Sequence, residues 1–127
     1  MKAYYAHCKA IYGTPQEARD VALIAKLGFE VINPASVEVG TRFSTWLNTC
    51  WDHTDEGKMK FFLELVGLSD VVIFRALPDG SIPSGVAKEV LHAKSLGVPV
   101  LELPSQVTRR LLTLEQTREY LAEIGER

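Results

Sequence analysis

The run Val71-Val72-Ile73-Phe74 constrains the fold more than any other stretch of this chain. Four consecutive apolar residues, three of them β-branched, leave no polar side for water, so the run reads as a strand covered on both faces. Strands of that kind belong to parallel sheets flanked by helices, and the rest of the chain supplies the required alternation. Ala3-Tyr4-Tyr5-Ala6 reads as the first strand, Phe29-Glu30-Val31-Ile32 as the second, ended by Asn33-Pro34, and Val98-Pro99-Val100-Leu101 as the fourth.

Helix signals lie between these runs. Thr14-Pro15-Gln16-Glu17 combines a capping hydroxyl, a proline at the first helical position and the acid of a capping box. Ala18, Val21, Ala22 and Ala25 follow at helical spacing, and Gly28 supplies a left-handed stop. Residues 35 to 57 show no regular pattern, and a helical stripe resumes with Phe61, Leu65 and Leu68. Ala76 to Pro83 is a turn-rich loop around Pro78-Asp79-Gly80. Ser84 is expected to cap the next helix, whose stripe is Val86, Val90 and Ala93, closed by Gly97. Thr113-Leu114-Glu115-Gln116 is a second capping box, opening a last helix with Leu114, Leu121 and Ile124. Strands joined by helices pair in parallel through right-handed crossovers. The predicted fold is therefore a doubly wound α/β parallel sheet of four to five strands with helices on both faces.

Composition narrows the function classes. The chain has 127 residues and no repeat or linker, so a single domain over residues 1–127 is expected. A net charge of -2 lacks the basic footprint of a non-specific nucleic-acid binder. Apolar runs fall far short of the ~20 residues that span a bilayer, and no secretory leader is expected before the first strand. Cys8 and Cys50 form no CxxC and no disulfide framework, which makes a reduced, cytoplasmic setting the expectation. No membrane, nucleic-acid, metal or cofactor partner is expected.

In a doubly wound sheet, ligands sit beyond the carboxyl ends of the strands. That rule selects His7-Cys8-Lys9, Asn33-Pro34, Arg75 to Gly85, and Glu102 to Ser105. The third of these is the most informative. Asp79, Gly80, Ser81, Ser84 and Gly85 lead into a helix whose second turn bears Glu89. Small residues at a helix start let a ligand approach the backbone, and the helix N-terminus favours negative charge nearby. A carboxylate held over the strand ends can act as nucleophile or general base. The competing reading of Glu89 is an exposed helical acid paired with Lys88 or Lys94.

The stretch from Gly85 through Glu89 and Ala93 to Gly97-Val98-Pro99-Val100 resembles the signature of the nucleoside 2-deoxyribosyltransferase family. That signature is a Gly, three residues, a Glu, an Ala four further on, then Gly and a short strand. Asp70 before Val71 matches the family's strand-opening Asp, and Tyr4 matches the Tyr of its first strand. The resemblance runs from Leu68 to Leu103 and, more loosely, over residues 1 to 34. It implies a flavodoxin-like fold and cleavage or transfer at the N-glycosidic bond of a nucleoside or nucleotide. Glu89 would attack the anomeric carbon and form a glycosyl-enzyme, by the two-step logic of retaining glycosidases, and Tyr4 would orient it. The other reading of Tyr4 is a core aromatic. The resemblance also implies a homo-oligomer, for which Phe61, Phe62 and the tryptophans Trp46 and Trp51 offer apolar surface. One position departs from the pattern: Phe62 stands where the family carries an Asp, with Glu64 and Asp55 as nearby acids.

Further candidates flank this constellation. His7 could contact the ligand or donate a proton, Pro34 ends the second strand at the rim, and Asp79 could accept hydrogen bonds from a base amine or simply hold its turn. Ser105, with Arg109 and Arg110, could hold a 5′-phosphate. Trp46 and Trp51 could stack on a base or serve as a hydrophobic lid or subunit contact. Cys50-x-x-His53 lacks the second ligand pair of a zinc site. The same residues also fit a non-catalytic nucleotide-binding module on this fold, or an α/β domain without a small-molecule site.

Overall fold

A computed structural model describes residues 1–104 and 111–125. Four strands, β1 (Lys2–Ala6), β2 (Glu30–Ile32), β3 (Val71–Phe74) and β4 (Val100–Glu102), form one parallel sheet in the order β2-β1-β3-β4. Tyr4 lies opposite Ile32 on one side and Val72 on the other, and Val72 in turn faces Val100. Among the described residues five α-helices accompany the sheet: α1 (Pro15–Lys26), α2 (Val37–Thr49), α3 (Asp55–Gly67), α4 (Ser84–Ser95) and α5 (Leu114–Glu123). The fold is doubly wound α/β. The chain leaves β1 toward β2 and returns across it to β3, so the strand order reverses between β1 and β3, where open sheets leave their ligand crevice.

Strand periodicity divides the core into two layers. Tyr4, Ala6, Val72 and Phe74 point toward Phe61, Leu65 and Val66 of α3 and Val86, Val90 and Ala93 of α4. Ala3, Tyr5, Val71 and Ile73 point the other way, toward Ile24 of α1 and Leu103. All four residues of β3 are buried, as its uninterrupted apolar sequence requires.

Local chemistry departs from the sequence expectations in several places. Thr14 does cap α1 by accepting from the Glu17 amide at 3.4 Å. The reciprocal half of the box is missing, because the Thr14 amide donates to the Ile11 carbonyl at 3.1 Å and the Glu17 carboxylate is engaged by His7 at 2.7 Å. The buried face of α1 carries Asp20 and Ile24, whereas Ala18, Ala22 and Ala25 are exposed. An acid replaces the alanine stripe at the sheet because Arg75 and Tyr5 neutralise and hydrogen-bond it there.

Residues 37 to 49, expected to be irregular, form α2. Its Ser36 cap accepts from the Val39 amide at 3.2 Å, and Val39, Phe43 and Trp46 make a narrow i, i+4, i+7 stripe against the core. α3 opens earlier than its apolar stripe, at Asp55, where the Thr54 hydroxyl accepts from Gly57 at 3.0 Å. Leu68 falls just beyond its end and is exposed. Pro83, not Ser84, occupies the cap position of α4, and Ser84 is its first helical residue without a capping bond. β2 starts one residue later than expected. β4 spans Val100–Glu102 instead of Val98–Leu101, its pairing opened by the Pro99 carbonyl, which accepts from Val72 at 2.9 Å. α5 has its capping box complete, yet none of its residues is buried. Leu114 and Ile124 lie exposed instead of packing on the sheet. No helix among the described residues is long and apolar enough to cross a membrane.

One close approach ties α3 to the loop before it. A Cβ at Gly57 would stand 2.5 Å from the Asp52 side-chain carbon and 2.6 Å from its carbonyl oxygen. A helical Gly→Ala change ordinarily gains about 1 kcal/mol. Gly57→Ala is expected to lose about 1–3 kcal/mol instead, from overpacking. Thermal denaturation checks this, and a raised melting temperature would contradict the close approach.

Candidate active site

The decisive side chain sits inside an apolar stripe. Val86, Glu89, Val90 and Ala93 share the buried face of α4, so helical geometry carries the Glu89 carboxyl into the layer between α4 and the sheet. There it meets β1, whose Tyr4 is fully buried on the same layer. The Tyr4 hydroxyl donates to Glu89 Oε2. The second oxygen, Oε1, has no protein donor among the described residues and is not sealed from solvent.

Glu89 and Tyr4 line a cavity of about 700 Å³ at the strand ends, within the range of small-molecule sites. Tyr4 and Glu89 lie at its base. His7, Cys8, Lys9 and Tyr12, from the turn after β1, form one wall. Phe43 of α2 with Asp55, Lys58, Met59 and Phe62 of α3 also line the cavity. Pro34 and the first turn of α4 complete the lining.

The environment of Glu89 is chemically distinctive. Burial pushes its carboxyl up to about 7, and the Tyr4 hydrogen bond only partly offsets this. Among the described residues no cation is paired with it. Tyr4 is itself held well above the usual phenol range, by burial and then by the Glu89 charge. Tyr12 is pushed up to about 12 by burial and by the charges of Glu89 and Glu17. The site thus holds a carboxyl that changes charge near neutrality, next to two phenols that keep their protons.

On the other face of the sheet, Asp20 experiences the opposite. Burial would raise it, but hydrogen bonds from Arg75, Tyr5 and Gln16 together hold it below the usual carboxylate range. Arg75 reaches it bidentately, Nη2 to Oδ1 at 2.6 Å and Nε to Oδ2 at 3.0 Å, and also donates to the Pro104 carbonyl. Tyr5 adds a third bond at 2.6 Å.

Of the residues singled out in the sequence, Tyr4, His7, Pro34, Ser84, Gly85 and Glu89 come together at the cavity. His7 meets it without a free nitrogen. Its Nδ1 lies 3.0 Å from the Tyr5 carbonyl and its Nε2 2.7 Å from Glu17, while its ring stacks on Tyr5 at 3.8 Å and tilts against Tyr12 at 4.7 Å. It is a brace for the turn. Asp79 does not reach the cavity; it is exposed, and its carboxylate accepts from the Ser81 amide and hydroxyl at 2.9 and 2.6 Å. Ser105, Arg109 and Arg110 lie outside the described residues. Glu64 is exposed and away from the lining, whereas Asp55 belongs to it. Trp51 is 94% exposed. Trp46 and Phe61 pack into this chain's own core instead of offering a free contact face. His53 Nε2 lies against the Cys50 and Leu47 carbonyls at 2.7 and 3.0 Å.

Sequence reasoning missed Tyr12, Phe43, Lys58 and Met59 as lining residues. The strand-end rule pointed close to Tyr12, but nothing local marked α2 as a wall.

The chain matches no protein-family model, no curated protein and no solved structure.

The two buried acids give opposite expectations. Glu89 binds its proton more tightly folded than unfolded, so the native state is favoured most below the ordinary value of 4.5 and loses stability as pH rises to about 7. The cost at pH 8 is roughly 3 kcal/mol. Glu89→Gln, which keeps an acceptor for Tyr4, should match the wild type in melting temperature at pH 4 and exceed it by about 10 °C at pH 8. Asp20→Ala should instead destabilise by about 3–5 kcal/mol at neutral pH, because it strands a buried guanidinium. Equal effects of the two substitutions would contradict the contrast.

Proposed function

We propose that this protein cleaves or transfers the N-glycosidic bond of a nucleoside or nucleotide, with Glu89 as nucleophile. The observation that carries the reading is the buried Glu89 carboxyl, fastened through Oε2 to Tyr4 and lining the cavity, with Oε1 not sealed from solvent. An N-glycoside breaks through a transition state with positive charge on the sugar. An ionised carboxylate in a poorly hydrated site stabilises that charge strongly. Oε1 then bonds to the anomeric carbon as the C–N bond breaks, and the electron pair leaves with the base, which takes up a proton from solvent water. Water or a second base releases the sugar in the reverse sense and frees the carboxylate. Tyr4 fixes the rotamer of Glu89 and, by donating to it, favours the ionised form that attacks. Phe43, Met59 and Phe62 supply an apolar wall for a planar base.

A second reading is a non-catalytic nucleotide-binding module. The observation that favours it is Phe62, an apolar side chain in the lining where the resembled family carries an acid. The two readings differ in base release.

Incubation with deoxynucleosides and a second free base, followed by chromatography, is expected to yield exchanged or hydrolysed product. Glu89→Ala should abolish turnover. The rate should climb with pH to a plateau above about 7, as Glu89 ionises. Tyr4→Phe should lower kcat and move that rise to higher pH, since it removes the bond that favours the carboxylate. Ligand-induced thermal stabilisation without base release would instead favour the binding module.

A further inference from the structure

Three lysines from three separate elements line the cavity: Lys9 from the turn after β1, Lys58 from α3 and Lys88 from α4. Surface lysines ordinarily splay into solvent or lean on a carboxylate. None of these three has a carboxylate within ion-pair distance among the described residues, whose ion pairs are His7–Glu17 and Arg75–Asp20. Two acids share the lining, Asp55 and Glu89, and burial favours the neutral form of Glu89. Pro83 gives α4 no side-chain cap, so the amides of its first turn add potential of the same sign. Unpaired like charges around one opening create a field that a bound anion relieves.

We propose that the cavity takes a phosphorylated glycoside, its phosphate held at the rim by Lys9, Lys58 and Lys88. A phosphate monoester carries close to two negative charges at neutral pH and three acceptor oxygens, which suits three flexible point-charge donors better than a single-charged carboxylate does. The glycoside half of this assignment rests on the proposed function; the phosphate half rests on the lysines alone.

Titration calorimetry on full-length Glu89→Gln protein, which binds without turnover, tests both halves. The probes are 2′-deoxynucleosides, their 5′-monophosphates and 2-deoxyribose 5-phosphate. The monophosphates are expected to bind at least about 10-fold tighter than the nucleosides in dilute buffer, with the advantage shrinking as added salt screens the lysines. Lys9→Gln, Lys58→Gln and Lys88→Gln should each weaken monophosphate binding by about 5-fold and leave nucleoside binding unchanged. Equal affinity for nucleoside and monophosphate, or monophosphate binding untouched by the triple substitution, would overturn the phosphate site while leaving the N-glycoside reading in place. Lysine-dependent binding of 2-deoxyribose 5-phosphate, with no binding of nucleoside or nucleotide, would uphold the phosphate site and defeat the N-glycoside reading. No binding of any probe would defeat both.

Discussion

The hydrogen bond from Tyr4 to Glu89 joins the second residue pair of the central strand to the helix that follows β3, and the site depends on it. Neighbouring residues on β1 point to opposite faces of the sheet, and each face receives a phenol that meets a buried acid. Tyr4 meets Glu89 on the α4 side, and Tyr5 meets Asp20 on the α1 side. What separates the two is a single cation. Arg75 is committed to Asp20 through a carboxylate fork and also donates to the Pro104 carbonyl. Asp20 is therefore held ionised and inert, a structural clamp. Among the described residues Glu89 meets a phenol and no cation, so its charged form stays costly.

The same economy of partners shapes the turn after β1. Glu17 leaves the helix cap to Thr14 alone and reaches back to His7, with the Gly13 amide at 3.4 Å on its other oxygen. His7 is consequently locked between Tyr5 and Tyr12, and Tyr12 is presented to the cavity. A local capping preference is traded for a rigid wall at the strand end, where the fold places its ligand crevice.

Much of this was legible in the chain. The β3 run, the start of α1 and the Val86, Val90, Ala93 stripe follow from local patterns, and Glu89 lies on that stripe at the correct spacing. What escaped has physical reasons. α2 carries β-branched Val37, Val39, Thr41 and Thr45 and a glycine at position 40, which argue against a helix, and only the narrow Val39, Phe43 and Trp46 stripe marks it. Asp20 looks like a solvent-facing acid because its partner Arg75 lies 55 residues away. α5 is marked by its capping box and by Leu114, Leu121 and Ile124, yet packing, which no local signal encodes, leaves it without a buried residue. Asp79 shows the other of its two readings: it lies away from the cavity lining, and its Oδ1 holds its own turn through Ser81.

Selective carbon-13 labelling of glutamate side chains, followed by nuclear magnetic resonance titration with Glu89→Gln as the assignment control, measures the central quantity directly. A Glu89 carboxyl that changes charge near pH 7 is the result this account predicts. A midpoint in the ordinary range around 4.5 would show the carboxyl to be solvated, and the Tyr4–Glu89 site would not exist as described.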